Sequence, residues 1–398
     1  MTPLELVTGS SVSAHLAPAL ALASEWAGEG LVALVLSGSH ASGEAVWAEC
    51  DGRRLSLSDL DLYAVMRDSA EARAAEERAR AGRRDLEPRL LAMGLAAPLE
   101  VGFLSRSGLA RMTARPGSIE LARNGRILSG DPAALEGLPR WTAADVPAEE
   151  IRLLLETRGF EVLAAYGALE SGPLLGRLQA RHALLKAAAD LAGVLSLGRG
   201  EYASGASARI AWVRAAVMPQ LAAVLPPEWS DAPATLDQVW TAALAWRGGG
   251  VRALDGVAAR AEWRAVARAW CAVWWLTGNE PRRDAFERAL AVGARAPLRR
   301  RVRQALSHAP RSGRPAPLPS RLRFALAGTP QHRVNASAAV LLLAAASSGS
   351  TPALPVGALR ALRALGVSSA RDWDGVRRQV LRAWDLWVLE GQRTGEGA

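Results

Sequence analysis

A short apolar run, Leu31 to Leu36, is bounded by Gly30 and Ser37 and has the length and punctuation of a buried strand. Leu60 to Met66 is a second such run, broken by Asp61, and Leu99 to Leu104 is a third, broken by Glu100. Before the first run, Leu16, Leu20, Leu22 and Trp26 recur at helical spacing and predict a helix over 16–27. Between the second and third, Ser69 to Leu91 is rich in Ala, Glu and Arg and reads as a surface helix. Strands and helices therefore alternate through the first third.

From about Glu149 the period changes to that of helices alone. Apolar positions predict helices over 151–169, 174–197, 207–225, 236–246 and 257–276. Trp263, Val266, Trp270, Val273 and Trp274 share one helical face, a stripe expected to pack into a core rather than to stack on bases. Arg301 to Pro319 mixes Arg, Ser and Pro and reads as a linker. Further helices are expected around 336–346, 356–365 and 373–391, with a frayed tail from Gln392. The expected class is α+β: a mixed-sheet domain over 1–145, a mainly α-helical domain over 146–300, and a helical extension over 301–398.

Composition narrows the class. Of 398 residues, 50% are hydrophobic and 22% charged, ordinary for a folded chain and wrong for a disordered one. Cys50 and Cys271 are the two cysteines, with no metal-ligand spacing, and no secretory leader is expected at Met1. The apolar run Ala338–Ala346 is too short to span a bilayer, so no membrane contact and a cytoplasmic location are expected.

The net charge of +9 is uneven: 15 Arg against 19 Asp and Glu in 1–145 leave −4, and 33 Lys and Arg against 20 acids beyond leave +13. Such a split suits a cation in front and phosphate or nucleic acid behind; a genome favouring Arg and Ala codons accounts for the basicity equally well. Against that bias Lys186, the single lysine, stands out, because a compact ammonium suits a phosphate oxygen where a guanidinium fork does not fit.

Three carboxylates carry the chemistry. Side chains two apart on a strand share a face, so Asp59 and Asp61 project together while Leu60 and Leu62 face the core. Paired carboxylates repel unless a cation lies between them, and Mg²⁺ or Mn²⁺ is the hard-cation partner expected. A lone Glu100 in its apolar strand either faces solvent or, if that strand lies next to Asp59 and Asp61, would complete a two-metal site able to activate an attacking hydroxyl. Upstream, Leu36-Ser-Gly-Ser39 feeds a strand into a small-residue turn whose backbone N–H groups can hold phosphate.

In this order, Gly38-Ser39, Asp59-Leu-Asp61 and Glu100 resemble the DNA polymerase beta-like nucleotidyltransferase superfamily, over roughly residues 30–132. Ile119 to Pro132, running through Asn124 to Asp131, is similar to the segment after the third acid in smaller members, while Val46–Leu57 is an apparent insertion, a loop or hairpin able to cover the site or touch an acceptor. The resemblance implies a helical domain presenting a lysine to the triphosphate, a place that Lys186 fills, followed by a turn matched by Gly200 to Ser204. It implies Asp59, Asp61 and Glu100 as catalytic and metal-binding residues, with Gly38, Ser39, Lys186 and Ser204 binding the nucleotide. The expected partners are an NTP donor, ATP first, and an acceptor that is a small molecule, a protein or an RNA. A nucleotide-binding scaffold without catalysis, and a toxin–antitoxin type of transferase, are the rival readings.

Other positions read as structural. His40 and His182 suit turn and packing roles, Tyr202 a packing role, Arg299–Arg303 a solvated face, and Asp372 with Asp374 a helix start.

Overall fold

The computed structural model describes residues 12–82, 86–277, 330–346 and 372–385. The expectations for 301–319 and 356–365, the Arg299–Arg303 run and the tail from Gln392 lie outside the described residues. The class is α+β, a small mixed sheet followed by helices. Among the described residues no helix is long and apolar enough to cross a membrane.

In chain order the first part runs α1 (Val12–Ala27), β1 (Leu31–Leu36), α2 (Gly38–Ser42), β2 (Trp47–Cys50), β3 (Arg53–Ser56) and β4 (Leu60–Met66). It continues with α3 (Ser69–Gly82), α4 (Leu86–Ala92), β5 (Leu99–Ser105), α5 (Arg106–Leu109), α6 (Pro116–Asn124) and β6 (Arg126–Gly130). The main sheet has the order β5-β4-β1-β6, with β4–β5 parallel and the other pairs antiparallel.

Both faces of this sheet are covered, which is why its strands read as unbroken apolar runs rather than as alternating ones. Leu34, Leu36, Leu60, Leu62, Ala64 and Met66 pack with α1, α3 and α4. Ala33, Val35 and Val65 pack on the opposite side with Leu109 of α5 and Leu121 of α6. The helix expected over 69–91 is two, α3 and α4. Pro88 falls in the first turn of α4, where a missing N–H is tolerated.

The helical part runs α7 (Ala148–Ser171), α8 (Leu174–Leu197), α9 (Ala206–Ala216), α10 (Met218–Val224), α11 (Ala232–Arg247) and α12 (Gly256–Leu276), then α13 (Pro330–Ala346) and α14 (Trp373–Trp384). The single helix expected over 207–225 breaks at Val217, because Pro219 in the first turn of α10 has no N–H to bond back into α9. The tryptophan stripe is core, as its period implied. Trp240, Trp263 and Trp270 are buried and donate their indole N–H groups to the carbonyls of Ala188 (2.9 Å), Val162 (2.6 Å) and Leu155 (2.8 Å). Each of these three rings is thus buried with its polar atom satisfied, whereas Trp274 of the stripe is buried with its indole N–H unpartnered among the described residues. Asp372 starts α14 as expected, its carboxylate accepting from Gly375 N–H at 2.6 Å.

The 46–57 insertion folds as the β2–β3 hairpin. Val46, Ala48, Cys50, Leu55 and Leu57 join the large helical core beside α8. The carboxamide of Gln179 on α8 donates to Ala96 O at 2.5 Å, next to the strand edge. A second bridge is the small cluster of Ala114, Ile119, Val146, Leu197 and Tyr202. Hydrophobic contact therefore ties the first part of the chain to the helices through the hairpin and through α6.

Candidate active site

Leu36 ends β1 on the covered face of the sheet, and the next peptide is pinned to the acidic strand: Ser37 N–H donates to Asp61 C=O at 2.9 Å. Gly38 then takes φ +65°, a left-handed value that disfavours a side chain. A Cβ there would collide with Asp61 Oδ2. The glycine is required twice, by its backbone angle and by the carboxylate lying against it. Helix α2 is only five residues long, too short for a substantial macrodipole, so the turn offers first-turn N–H groups rather than a long helix end. Ser39 is half-buried in that first turn.

Asp61 and Glu100 are direct partners across the parallel β4–β5 ladder, so both carboxylates lie side by side. Asp59 stands one residue ahead of β4. Burial, then the charges of Asp59 and Glu100, raises the Asp61 carboxyl to about 7. Asp61 has no side-chain hydrogen bond or ion pair among the described residues. The charges of Asp59 and Glu100 both bear on Asp61, which makes no ion pair of its own among the described residues. The three carboxylates are not drawn into a finished cage: among the described residues no group of three or more His, Cys, Asp or Glu side chains is gathered to hold a metal ion. The donor set is all oxygen and in charge deficit, the chemistry that a hard divalent cation meets.

Lys186, midway along α8, makes an ion pair with Asp59. Burial works to raise the Asp59 carboxyl, but the ammonium outweighs it and holds that group below the usual range. Conversely, burial works against the charged lysine, and Asp59 keeps it protonated. The lysine thus meets the acids, not the turn after α8.

Ser204 lies elsewhere, within hydrogen-bond reach of Asn124 (3.3 Å), in a polar pocket of about 410 Å³ lined by Ser42, Arg123, Asn124, Arg126 and Gly205 among others. Ser42 is the far end of α2, whose near end is Gly38, so this short helix runs between acids and pocket. Gly38, Asp59, Asp61, Glu100 and Lys186 come together; Ser204 stands at the neighbouring pocket.

Several site residues escaped the sequence reading. Arg158 on α7 donates to Asp190 Oδ2 at 2.7 Å and pairs with Glu161, and its charge reaches both Asp59 and Asp61. His182, Lys186 and Asp190 follow each other at intervals of four on a helix otherwise apolar from Ala183 to Leu195, and that spacing was the available signal. Glu44 accepts from Ala206 N–H (2.8 Å) and Ser207 N–H (3.2 Å) at the start of α9, and pairs with Arg247 (3.6 Å), closing the seam beside the pocket. Nothing local marks Glu44. His40 is buried against Ser56 Oγ at 3.1 Å and serves the hairpin rather than a phosphate. Tyr202 is buried too, with the Arg209 guanidinium over its ring at 4.7 Å.

His182 makes a measurable prediction. Its Nδ1 accepts from Trp246 Nε1–H at 3.1 Å, and burial followed by the Lys186 charge lowers its pKa to about 3. The unfolded chain, with histidine near 6.5, binds the proton first, so this contribution to stability is complete above pH 6.5 and falls as pH drops toward 3. Urea melts at pH 7 and pH 4.5 should differ by about 2–3 kcal/mol on this account. His182→Gln should reduce that difference; an unchanged pH slope in the variant refutes the assignment.

No protein-family model matches the chain, and no curated protein matches it.

Proposed function

We propose that this chain is a metal-dependent nucleotidyltransferase of the DNA polymerase beta-like kind, moving an NMP from an NTP, ATP first, to an acceptor hydroxyl. The observation that carries the reading is the trio Asp59, Asp61 and Glu100 beside a glycine turn, with the Asp61 carboxyl raised to about 7 by burial and by the charges of Asp59 and Glu100. Such perturbed carboxylates gathered in one place are a mark of functional sites.

Asp59, Asp61 and Glu100 would hold Mg²⁺ or Mn²⁺, which when bound supplies Lewis-acid polarisation of the reacting phosphate and eases deprotonation of the acceptor. The residues of the chain do the rest. Backbone N–H groups at Gly38 and Ser39 hold phosphate oxygens of the donor. The exposed Glu100 carboxylate takes the proton from the acceptor hydroxyl and passes it to solvent. The acceptor oxygen bonds to the α-phosphorus, the bond from that phosphorus to the bridging oxygen breaks, and pyrophosphate leaves. The pocket at the far end of α2, with Arg123, Arg126, Asn124 and Ser204, has the size and polarity to take the remainder of the donor. The acceptor is a small molecule, a protein or an RNA.

A thermal-shift screen of the four NTPs, with and without Mg²⁺, tests the donor half of this reading. The right NTP should raise the melting temperature in Mg²⁺, by about 2.7 kcal/mol of added stability at a hundred times its Kd, and EDTA should reverse it. No shift with any NTP at millimolar concentration overturns the reading.

A further inference from the structure

The ligand-free site has an unusual charge arrangement. The charges of Asp59 and Glu100 both raise the Asp61 carboxyl, and the ammonium of Lys186 is ion-paired to Asp59. The other nearby cation, Arg158, is already committed to Asp190 and Glu161. Lys186 in turn has no hydrogen-bond or ion-pair partner among the described residues except Asp59, 127 residues away in the chain. Its ammonium occupies one carboxylate that a divalent cation needs, and a cation arriving there meets a like charge at contact distance.

We propose that Lys186 is a built-in counter-cation: it holds Asp59 in the ligand-free chain, is displaced from it by a divalent cation, and is then free for the polyphosphate of the donor. This rests on the metal-dependent reading above. It makes cation and nucleotide binding mutually supportive. Displacement of the ammonium costs the cation affinity when no phosphate is present, and a polyphosphate recovers that cost by giving the ammonium a new partner. The pair keeps Asp59 charge-compensated when the site is empty, where that carboxylate left bare and buried would weaken the fold. It also ties α8 to the start of β4 until both ligands are in place.

Because Lys186 is the single lysine of the sequence, amine acylation reads its release in the unaltered chain. An ammonium paired in a partly buried site, with 28% of its side chain exposed, reacts slowly; a freed one regains its ordinary acidity and access. The full chain is treated at pH 8 with acetic anhydride, with and without Mn²⁺. Acetylation of Lys186 is followed by peptide mass spectrometry against the N-terminal amine as internal standard, and bound Mn²⁺ is counted in the same samples by electron paramagnetic resonance. Mn²⁺ should speed acetylation of Lys186 by about tenfold, as expected for loss of a contact ion pair. Inorganic tripolyphosphate added with Mn²⁺ should slow it again. If Mn²⁺ binds and the acetylation rate is unchanged or lower, the counter-cation role is overturned and the metal site stands. If no Mn²⁺ binds with or without tripolyphosphate, the metal-dependent reading fails and takes this one with it.

Discussion

Asp61→Asn should abolish nucleotidyl transfer, by about 10³-fold or more, while making the ligand-free protein more stable. Both signs come from one side chain. Asp61 is the central acid of the trio, packed against Gly38 and directly opposite Glu100, so a neutral amide removes the charge a divalent cation would meet and keeps the shape. A 10³-fold loss is about 4 kcal/mol of transition-state stabilisation, within the range of one electrostatic contribution. In the ligand-free protein the same carboxylate is a burden. Burial and its two acidic neighbours raise it to about 7, against an ordinary value of 3.8, so at pH 8 its ionised form opposes folding. Relief of that repulsion in the variant is worth between about 1 and 4 kcal/mol. Paired melts at pH 8, with and without Mg²⁺ and NTP, check it. The ligand-free melting temperature should rise and the ligand-induced shift should vanish. A variant that loses stability, or keeps the shift, removes Asp61 from the centre of the site.

Gly38→Ala should lower transfer by about 10²-fold, a loss that a matched substitution at the other end of the same helix does not cause. Both Gly38 (φ +65°) and Gly43 (φ +76°) hold left-handed backbone angles, so alanine costs about 1 kcal/mol of strain at either position. The two differ in what the new methyl meets. At Gly43 nothing lies within 4 Å, whereas at Gly38 the methyl would overlap Asp61 Oδ2 and push the carboxylate away. Displacement of a catalytic group by about 1 Å is enough for a 10²-fold effect. Gly43→Ala therefore isolates the strain, and the ratio of the two activities measures the contact. Equal activities in the two variants would mean that the turn does not set the position of Asp61.

Much of this site was legible from period and punctuation alone. The two-residue period of a strand put Asp59 and Asp61 together, and it put Leu60 and Leu62 into the core, where they are buried. The same period placed Glu100 on a strand, and Gly30 and Ser37 marked the ends of the first strand. Strand β6 was not expected, because Arg126-Ile-Leu-Ser-Gly130 is short and mostly half-exposed or exposed. The Val46–Leu57 insertion was readable only as a loop or a hairpin, and its destination was not readable at all. Its apolar face joins the helical core, and an alternating pattern says that one face is covered without saying by what.

The chain order of residues dictates local matters: which stretches become strands or helices, which face of each is apolar, and where proline or glycine must interrupt. Those follow from backbone sterics and the side-chain period, both short-range. Long-range pairing is set otherwise. That Lys186 meets Asp59 rather than Ser204 depends on how α8 crosses the start of β4, and that crossing is fixed by the hairpin and the Leu197–Tyr202 cluster packing between sheet and helices. Electrostatic identity follows from the same packing. Asp59 and Asp61 are the same residue type two positions apart, and one is held below the ordinary carboxylate range while the other is pushed to about 7. The folded chain gives one an ammonium and the other two acidic neighbours, and over a few ångströms in a partly buried site that difference outweighs everything their shared sequence context has in common.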